Sequence, residues 1–372
     1  MKMMLCVPCL FGLEGLVGNE LRHMGLEDVA PENGRVYFTG TEADIARVNI
    51  RSRFGERVLL VMGRFPAKTF DQLFEGVKAL PWEDYIHKNA AFPVKGWALE
   101  SALHSVPDCQ KIVKKAVVER LKSRYHLDRF PETGETYQIQ FAIMKDMAVL
   151  YLDSSGVGLY KRGYRPAQVA APLRETLAAA MVDIARYRGK GDFCDPFCGS
   201  GTIAIEAALA ALNRAPGLYR SFAAENWAFV DPALWRQARA EALVAESTGD
   251  YHITASDIVP RAVQIAQENA VRAGVEHLID FRVADAAAFS QKTERGVIVT
   301  NPPYGERLLD VQQAEELYRR FGAALSKPGN EGWSLYLLSS DADFEHCFGK
   351  PADKKRKLYN GMIKCDLYMY FK

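Results

Sequence analysis

The run Asp195-Pro196-Phe197-Cys198-Gly199-Ser200-Gly201-Thr202 constrains this chain more than any other feature. It lies between a strand-like segment, Asp192 to Phe197, and a helical one, Thr202 to Leu212. Glycines there allow a tight turn and let a ligand come close to the backbone at a helix N-terminus. The turn lacks the Gly-Lys-Ser/Thr ending of a phosphate loop and the full Gly-x-Gly-x-x-Gly spacing, so alone it is equally a plain structural turn. An Asp closing the strand suits a cationic ligand group. The alternation then continues: Tyr251–Ser256 reads as a strand, Pro260–Ala273 as a helix, and Ile279–Val283, Gly296–Thr300 and Trp333–Leu338 as further strands. From about residue 156 this pattern predicts a parallel sheet with crossover helices. Asn360-Gly361, between two strand-like runs near the end, predicts an antiparallel hairpin at one sheet edge.

Acids follow the successive strands of that sheet. Asp257 comes directly after the second strand, where a carboxylate can take a ribose diol, and Asp285 follows the third, with Ala286 and Ala287 behind it. A single acid in such a place is an ordinary helix cap. Three strand ends carrying acids beside a glycine turn outline a nucleoside pocket at the carboxyl edge. The fourth strand runs into Asn301-Pro302-Pro303-Tyr304. The prolines can simply end the strand. They also stiffen the backbone, so that the Asn301 amide oxygen and the Pro302 carbonyl become two fixed acceptors for an exocyclic NH2, with Tyr304 able to stack on the base.

The first part of the chain is organised differently. Through about residue 60, helical spacing at Leu13–Met24 and Glu42–Ile50 alternates with strands at Arg35–Phe38 and Arg57–Val61. This predicts a small α+β unit with helices on one face of an antiparallel sheet. From about 65 to 155, helices at Phe70–Leu80 and Asp108–Tyr125 accompany strands at Gly96–Leu99, Tyr137–Ile143 and Met147–Leu152, the last two joined at Lys145-Asp146. Global charge is uninformative, with 47 basic and 46 acidic side chains. Its distribution is not: Lys111 to Arg129 holds seven basic residues and two acids. Lys111, Lys114, Lys115 and Lys122 make that helix a candidate phosphate-binding face, as well as an ordinary solvated one. Lys354-Lys355-Arg356-Lys357 is a second basic cluster, and Lys161-Arg162-Gly163-Tyr164-Arg165 interleaves cations with an aromatic.

The 372 residues, 48% hydrophobic and 25% charged, exclude a disordered or fibrous protein and imply two or three domains. No run of about 18 apolar residues predicts a membrane span, and no signal peptide is read, so a cytoplasmic location is expected. Seven cysteines, an odd count, are expected as reduced thiols. Cys6 and Cys9 make one C-x-x-C without a second pair, and no metal is expected.

The Asp195–Thr202 run together with Thr300-Asn-Pro-Pro-Tyr-Gly-Glu-Arg resembles class I S-adenosylmethionine-dependent methyltransferases that modify exocyclic amines. Leu159-Tyr-Lys-Arg-Gly-Tyr-Arg-Pro, Lys357-Leu-Tyr-Asn-Gly and the opening Pro8-Cys-Leu-Phe-Gly-Leu-Glu are similar to bacterial THUMP-domain RNA guanine-N2 methyltransferases, along essentially the whole chain. The resemblance implies a ferredoxin-like α+β unit at 1–64, a THUMP RNA-binding domain at 65–155 and a Rossmann-like methyltransferase domain at 156–372. It implies cofactor contacts from Asp195, Phe197, Cys198, Gly199, Ser200, Gly201, Thr202, Asp257, Ile258, Asp285 and Ala286. Asn301, Pro302, Pro303 and Tyr304 would serve the target base, and Lys161, Arg162, Tyr164 and Arg165 would join the four lysines on RNA. The implied partner is RNA, ribosomal before transfer RNA. An adenine-N6 methyltransferase on RNA or DNA, and an RNA-binding protein with an inactive domain, are the alternatives.

Overall fold

The computed structural model describes residues 2–165, 173–290, 293–303, 311–330 and 332–372. Two seven-stranded sheets organise them. The first lobe runs β1 (Met3–Pro8), α1 (Glu14–His23), β2 (Glu27–Glu32), β3 (Arg35–Gly40), α2 (Glu42–Arg51), β4 (Leu59–Pro66), α3 (Phe70–Lys78), β5 (Val94–Leu99), α4 (Val106–Tyr125), β6 (Gln138–Met144) and β7 (Met147–Asp153). Its strand order is β2-β3-β1-β4-β7-β6-β5, and every pairing is antiparallel except β5 with β6. The sheet is continuous: β4 pairs β1 on one side and β7 on the other, running through residue 64, where the sequence suggested a boundary.

Strand β1 escaped the sequence reading. Leu5 and Val7 enter the main core while Cys6, between them, is buried on the other face beside Leu59, Val149 and Tyr151. A strand buried on both faces loses the apolar–polar alternation that makes a strand legible. The β6–β7 turn is where it was expected: Lys145 and Asp146 both take positive φ, +51° and +61°, as a tight two-residue hairpin demands.

The second lobe contains α5 (Glu175–Ile184), β8 (Asp192–Asp195), α6 (Thr202–Ala211), α7 (Pro232–Val244), β9 (Ile253–Asp257), α8 (Pro260–Ala273), β10 (Ile279–Val283), β11 (Gly296–Thr300), α9 (Val311–Leu325), β12 (Trp333–Ser339), α10 (Phe344–Phe348), β13 (Lys354–Asn360) and β14 (Ile363–Tyr370). The order is β10-β9-β8-β11-β12-β14-β13. The first five strands are parallel, and β14 is antiparallel to both β12 and β13. The expected hairpin is present, with Gly361 at φ +65° in its turn.

Residues 213–250, read from sequence only as an insertion, fasten the lobes together. Their helix α7 has an Asp231 cap on Ala233 N and Pro232 at its first turn, a start signal the sequence reading passed over. It packs on α2. Trp227 stacks on Tyr137 at 5.0 Å, and its indole N–H donates to the Thr136 carbonyl. Across the described residues no helix is long and apolar enough to cross a membrane.

Candidate active site

Strands leave β8 in opposite directions, β9 and β10 to one side and β11 and β12 to the other. Such a topological switch opens a crevice at the carboxyl ends of the two central strands, here Asp195 and Thr300. The Thr300 hydroxyl donates to Asp195 Oδ1 at 2.6 Å, and Phe197 N donates to the same oxygen at 3.3 Å. Asp195 is 1% exposed, and burial pushes its carboxyl up to about 7. Sequence reasoning gave Thr300 no role; its only signal was its place directly before Asn301.

The glycine turn is held from three sides. Cys198 N donates to Ser256 O, the Asn269 amide donates to Ser200 O, and Phe197 packs edge-on against Phe321. Gly201, at φ +81°, caps α6, and a Cβ there would stand 2.9 Å from Ala266 Cβ. Gly199, at φ +50°, faces open space: a Cβ there would meet no atom within 4 Å, so the helix N-terminus is open on that side. Thr202 begins α6, and its hydroxyl oxygen accepts from Arg165. Cys198 is buried and its thiol is pushed far up, so it is no thiolate nucleophile.

Asp257 ends β9. Its Oδ2 accepts from Gly199 N at 2.9 Å and its Oδ1 from Val259 N at 3.0 Å, which fixes the glycine turn to the neighbouring strand. Beside it Ile258 is 63% exposed, an apolar surface at the crevice. Asp285 caps the turn holding buried Ala286 through Ala287 N, and pairs with Arg320 of α9 at 2.6 Å. Both acids therefore act as caps as well as facing the carboxyl edge.

At the β11 end, Asn301 carries the most telling atom. Its Oδ1 is buried and has no hydrogen-bond partner among the described residues. Leaving such an acceptor unmade costs roughly 1–3 kcal/mol. Pro302 is buried, and the Pro303 carbonyl accepts from the Tyr318 hydroxyl at 3.1 Å. Tyr318, fully buried on α9, braces this turn and also meets Ser339. It was missed because nothing local in α9 marks it. Tyr304 lies outside the described residues.

One expectation is corrected. Arg162 and Tyr164 are buried, and Arg165 is nearly so, which leaves none of them free for RNA. Arg162 donates to the carbonyls of Arg53 and Leu159 and pairs with Glu206 at 3.4 Å, while the Tyr164 hydroxyl meets the same carboxylate at 3.0 Å. Arg165 pairs with Glu175 at 2.6 Å. Buried acids on α5 and α6 claimed these side chains. Lys161 alone of the four is exposed. On α4, Lys111 and Lys115 are exposed and Lys122 is half-buried; Lys111 pairs with Asp108 at 3.3 Å and Lys122 with Glu119 at 3.8 Å within the helix, whereas Lys114 is tied to Glu132 and the Phe92 carbonyl of other segments.

The strand order, the glycine turn before α6 and the acids at successive strand ends define a class I S-adenosylmethionine-dependent methyltransferase. The open approach at Gly199, the buried Asp195 carboxyl and the exposed Ile258 fit that cofactor's aminoacyl and nucleoside parts. Comparison with known proteins narrows the class. Residues 162–369 match the RMKL-like methyltransferase domain, 4–59 the RlmL ferredoxin-like domain and 67–153 the THUMP domain. The chain belongs to this family of THUMP-containing RMKL-like methyltransferases. It is 46% identical over its whole length to YpsC of Bacillus subtilis, by name a candidate RNA methyltransferase, covering 96% of that protein. It is 36% identical over 98% of its length to the ribosomal RNA large subunit methyltransferase K/L of Psychromonas ingrahamii, but spans only 49% of that relative. Two solved structures each superpose on the whole chain with TM-score 0.94. One, from Listeria monocytogenes, is 46% identical, 96% covered and described as a predicted N6-adenine-specific DNA methylase. The other, SMU.472, is 41% identical, 98% covered and a methyltransferase candidate complexed with SAH.

Proposed function

We propose that the protein methylates the exocyclic N2 amine of a guanosine in large-subunit ribosomal RNA. One observation carries the chemistry: a buried amide oxygen at Asn301, without a hydrogen-bond partner among the described residues, directly after the switch-point strand. An aromatic amino group supplies the N–H that this oxygen lacks. The THUMP match and the K/L relatives' names support RNA, and ribosomal RNA in particular.

The cofactor, when bound, supplies an electrophilic methyl group on a sulfonium. In this reading Asp195 and the Gly199–Gly201 turn hold its aminoacyl end, Asp257 its ribose, and Ile258, Asp285 and Ala286 border its base. Asn301 and the Pro302 carbonyl orient the target nitrogen and accept hydrogen bonds from it as it becomes tetrahedral and cationic, with Tyr304 stacking on the ring. The base must leave its stack to get there, at a cost of a few kcal/mol. Catalysis is then positioning and electrostatic support, with no covalent nucleophile. Domains 1–64 and 65–155 deliver the RNA, and 156–372 transfers the methyl group.

The test is methyl transfer from isotopically labelled S-adenosylmethionine to protein-free large-subunit rRNA, with nucleosides resolved by mass spectrometry. Label in N2-methylguanosine supports the proposal. Label in N6-methyladenosine overturns it in favour of the N6-adenine specificity, though not the DNA substrate, named for the Listeria relative.

A further inference from the structure

We propose that the β13–β14 hairpin, with Phe11 of the first lobe, is a stacking platform for the RNA strand flanking the target nucleotide. The inference rests on the RNA reading above, and three observations carry it.

The first is place. Strand β14 runs antiparallel to β12 with Ser339 opposite Asp366, so residues 360–365 extend past the end of β12. That is the carboxyl edge, where Asn301 follows β11. Tyr359 on β13 lies three strand spacings from β11, about 14 Å at ~4.8 Å per spacing, and four residues beyond the level of Thr300, about 13 Å at ~3.3 Å per residue, so roughly 20 Å from the end of β11. A flipped nucleotide at Asn301 leaves its neighbours within that reach.

The second is chemistry. Register puts Lys355, Lys357 and Tyr359 on one face of β13, opposite Tyr368, Asp366 and Lys364. Lys357 and Lys364 are exposed and, among the described residues, neither has an acid within ion-pair distance; Lys355 is paired with Glu345. Asp366 is the one acid among these six strand residues. Tyr359 is half-buried, and Met362 at the tip is 98% exposed. Cations alternating with an aromatic, and a bare apolar tip, match what binds single-stranded nucleic acid without reading its sequence.

The third is the join between lobes. Phe11, 57% exposed, meets the Tyr359 ring edge-on at 6.0 Å, and Arg356 donates to the Gly12 carbonyl at 2.6 Å. Phe11 thereby extends the aromatic surface from the catalytic lobe onto the lobe that carries the THUMP match.

The test is binding of protein-free large-subunit rRNA, with kinetics, by Tyr359→Ala, Tyr359→Phe, Tyr359→Leu and the pair Lys357→Glu/Lys364→Glu. Tyr359→Ala should weaken RNA binding ~5–150-fold, the ratio matching ~1–3 kcal/mol for one stacked base. Tyr359→Phe should bind like the wild type. Tyr359→Leu keeps apolar packing against Phe11, so it should fold normally yet bind RNA like the alanine variant. The lysine pair should lower the slope of log affinity against log salt by about two units. Throughout, cofactor affinity and turnover at saturating RNA should stay at wild-type values. Wild-type binding by Tyr359→Leu, or an unchanged salt slope in the lysine pair, overturns the platform. So does a defect seen with assembled subunits but not with protein-free rRNA, which would mark a protein-docking face. Wild-type nucleoside analysis judges the base specificity separately, since these binding measurements do not depend on which base receives the methyl group.

Discussion

Two short segments of the catalytic lobe treat their polar atoms in opposite ways. At Lys161–Arg165, a buried arginine spans from α6 to the backbone of the first lobe, using Glu206 and the carbonyls of Arg53 and Leu159. At Asn301–Pro303, a buried amide oxygen has no partner among the described residues. The arginine holds lobes together through three acceptors, although the second Glu206 oxygen, Oε2, is also buried without a partner among the described residues. A polar group kept waiting holds stability in reserve for a ligand. What sets Asn301 apart from the other unpartnered buried atoms, among them Arg53 Nη1, Tyr187 OH and Trp235 Nε1, is its place directly after β11 at the switch point.

The largest effect should come from breaking the tie. Arg162→Met leaves Glu206 buried without its cation and should cost roughly 3–5 kcal/mol of unfolding free energy, read by urea denaturation. Turnover of the folded fraction should change far less. A variant as stable as the wild type would show that the junction carries no weight.

Asn301→Ala should behave in reverse. Turnover should fall by about 10²–10³, the usual loss for one transition-state hydrogen-bond partner. The melting midpoint should hold or rise, because an unsatisfied buried oxygen is removed. Single-turnover transfer alongside a melting curve decides, and a destabilised Asn301→Ala would place this residue with the scaffold.

Asp195 lies between the two cases, hydrogen-bonded yet raised to about 7 by burial. Its folded-state pKa exceeds the unfolded value near 4, so the folded chain holds the extra proton across that interval. Stability should therefore fall as pH rises from about 4 to 7, by at most ~1.4 kcal/mol per pH unit from this group. Glu20, also pushed to about 7 by burial, adds in the same direction. Asp195→Asn should make the decline shallower; denaturation at pH 5, 6 and 7 measures it.

The smallest effects per residue should be on α4. Charge reversal at Lys111, Lys115 and Lys122 should reduce the salt slope of RNA binding by close to one unit each. Lys114→Gln should shift stability and leave the slope alone, since Lys114 is engaged with Glu132 and Phe92. An unchanged slope in the triple variant would return α4 to an ordinary solvated face.

What the sequence determined by itself was local. A glycine that must take φ +81° before a helix, prolines that stop a strand, and an Asn-Gly hairpin are each set within a few residues, and all lie close to where they were read. The parallel order of the second sheet followed from strand–helix alternation for the same reason. Only the tertiary structure decided which groups are committed to holding the fold. Thr300 on Asp195 and Tyr318 on Pro303 join separate elements. Lys161 and Arg162 are adjacent cations, yet one faces solvent and the other is buried against Glu206, 44 residues away in sequence. Burial and partnership are set by packing between distant segments, and a charge pattern in the chain is the same whether an acid from another helix answers it or water does.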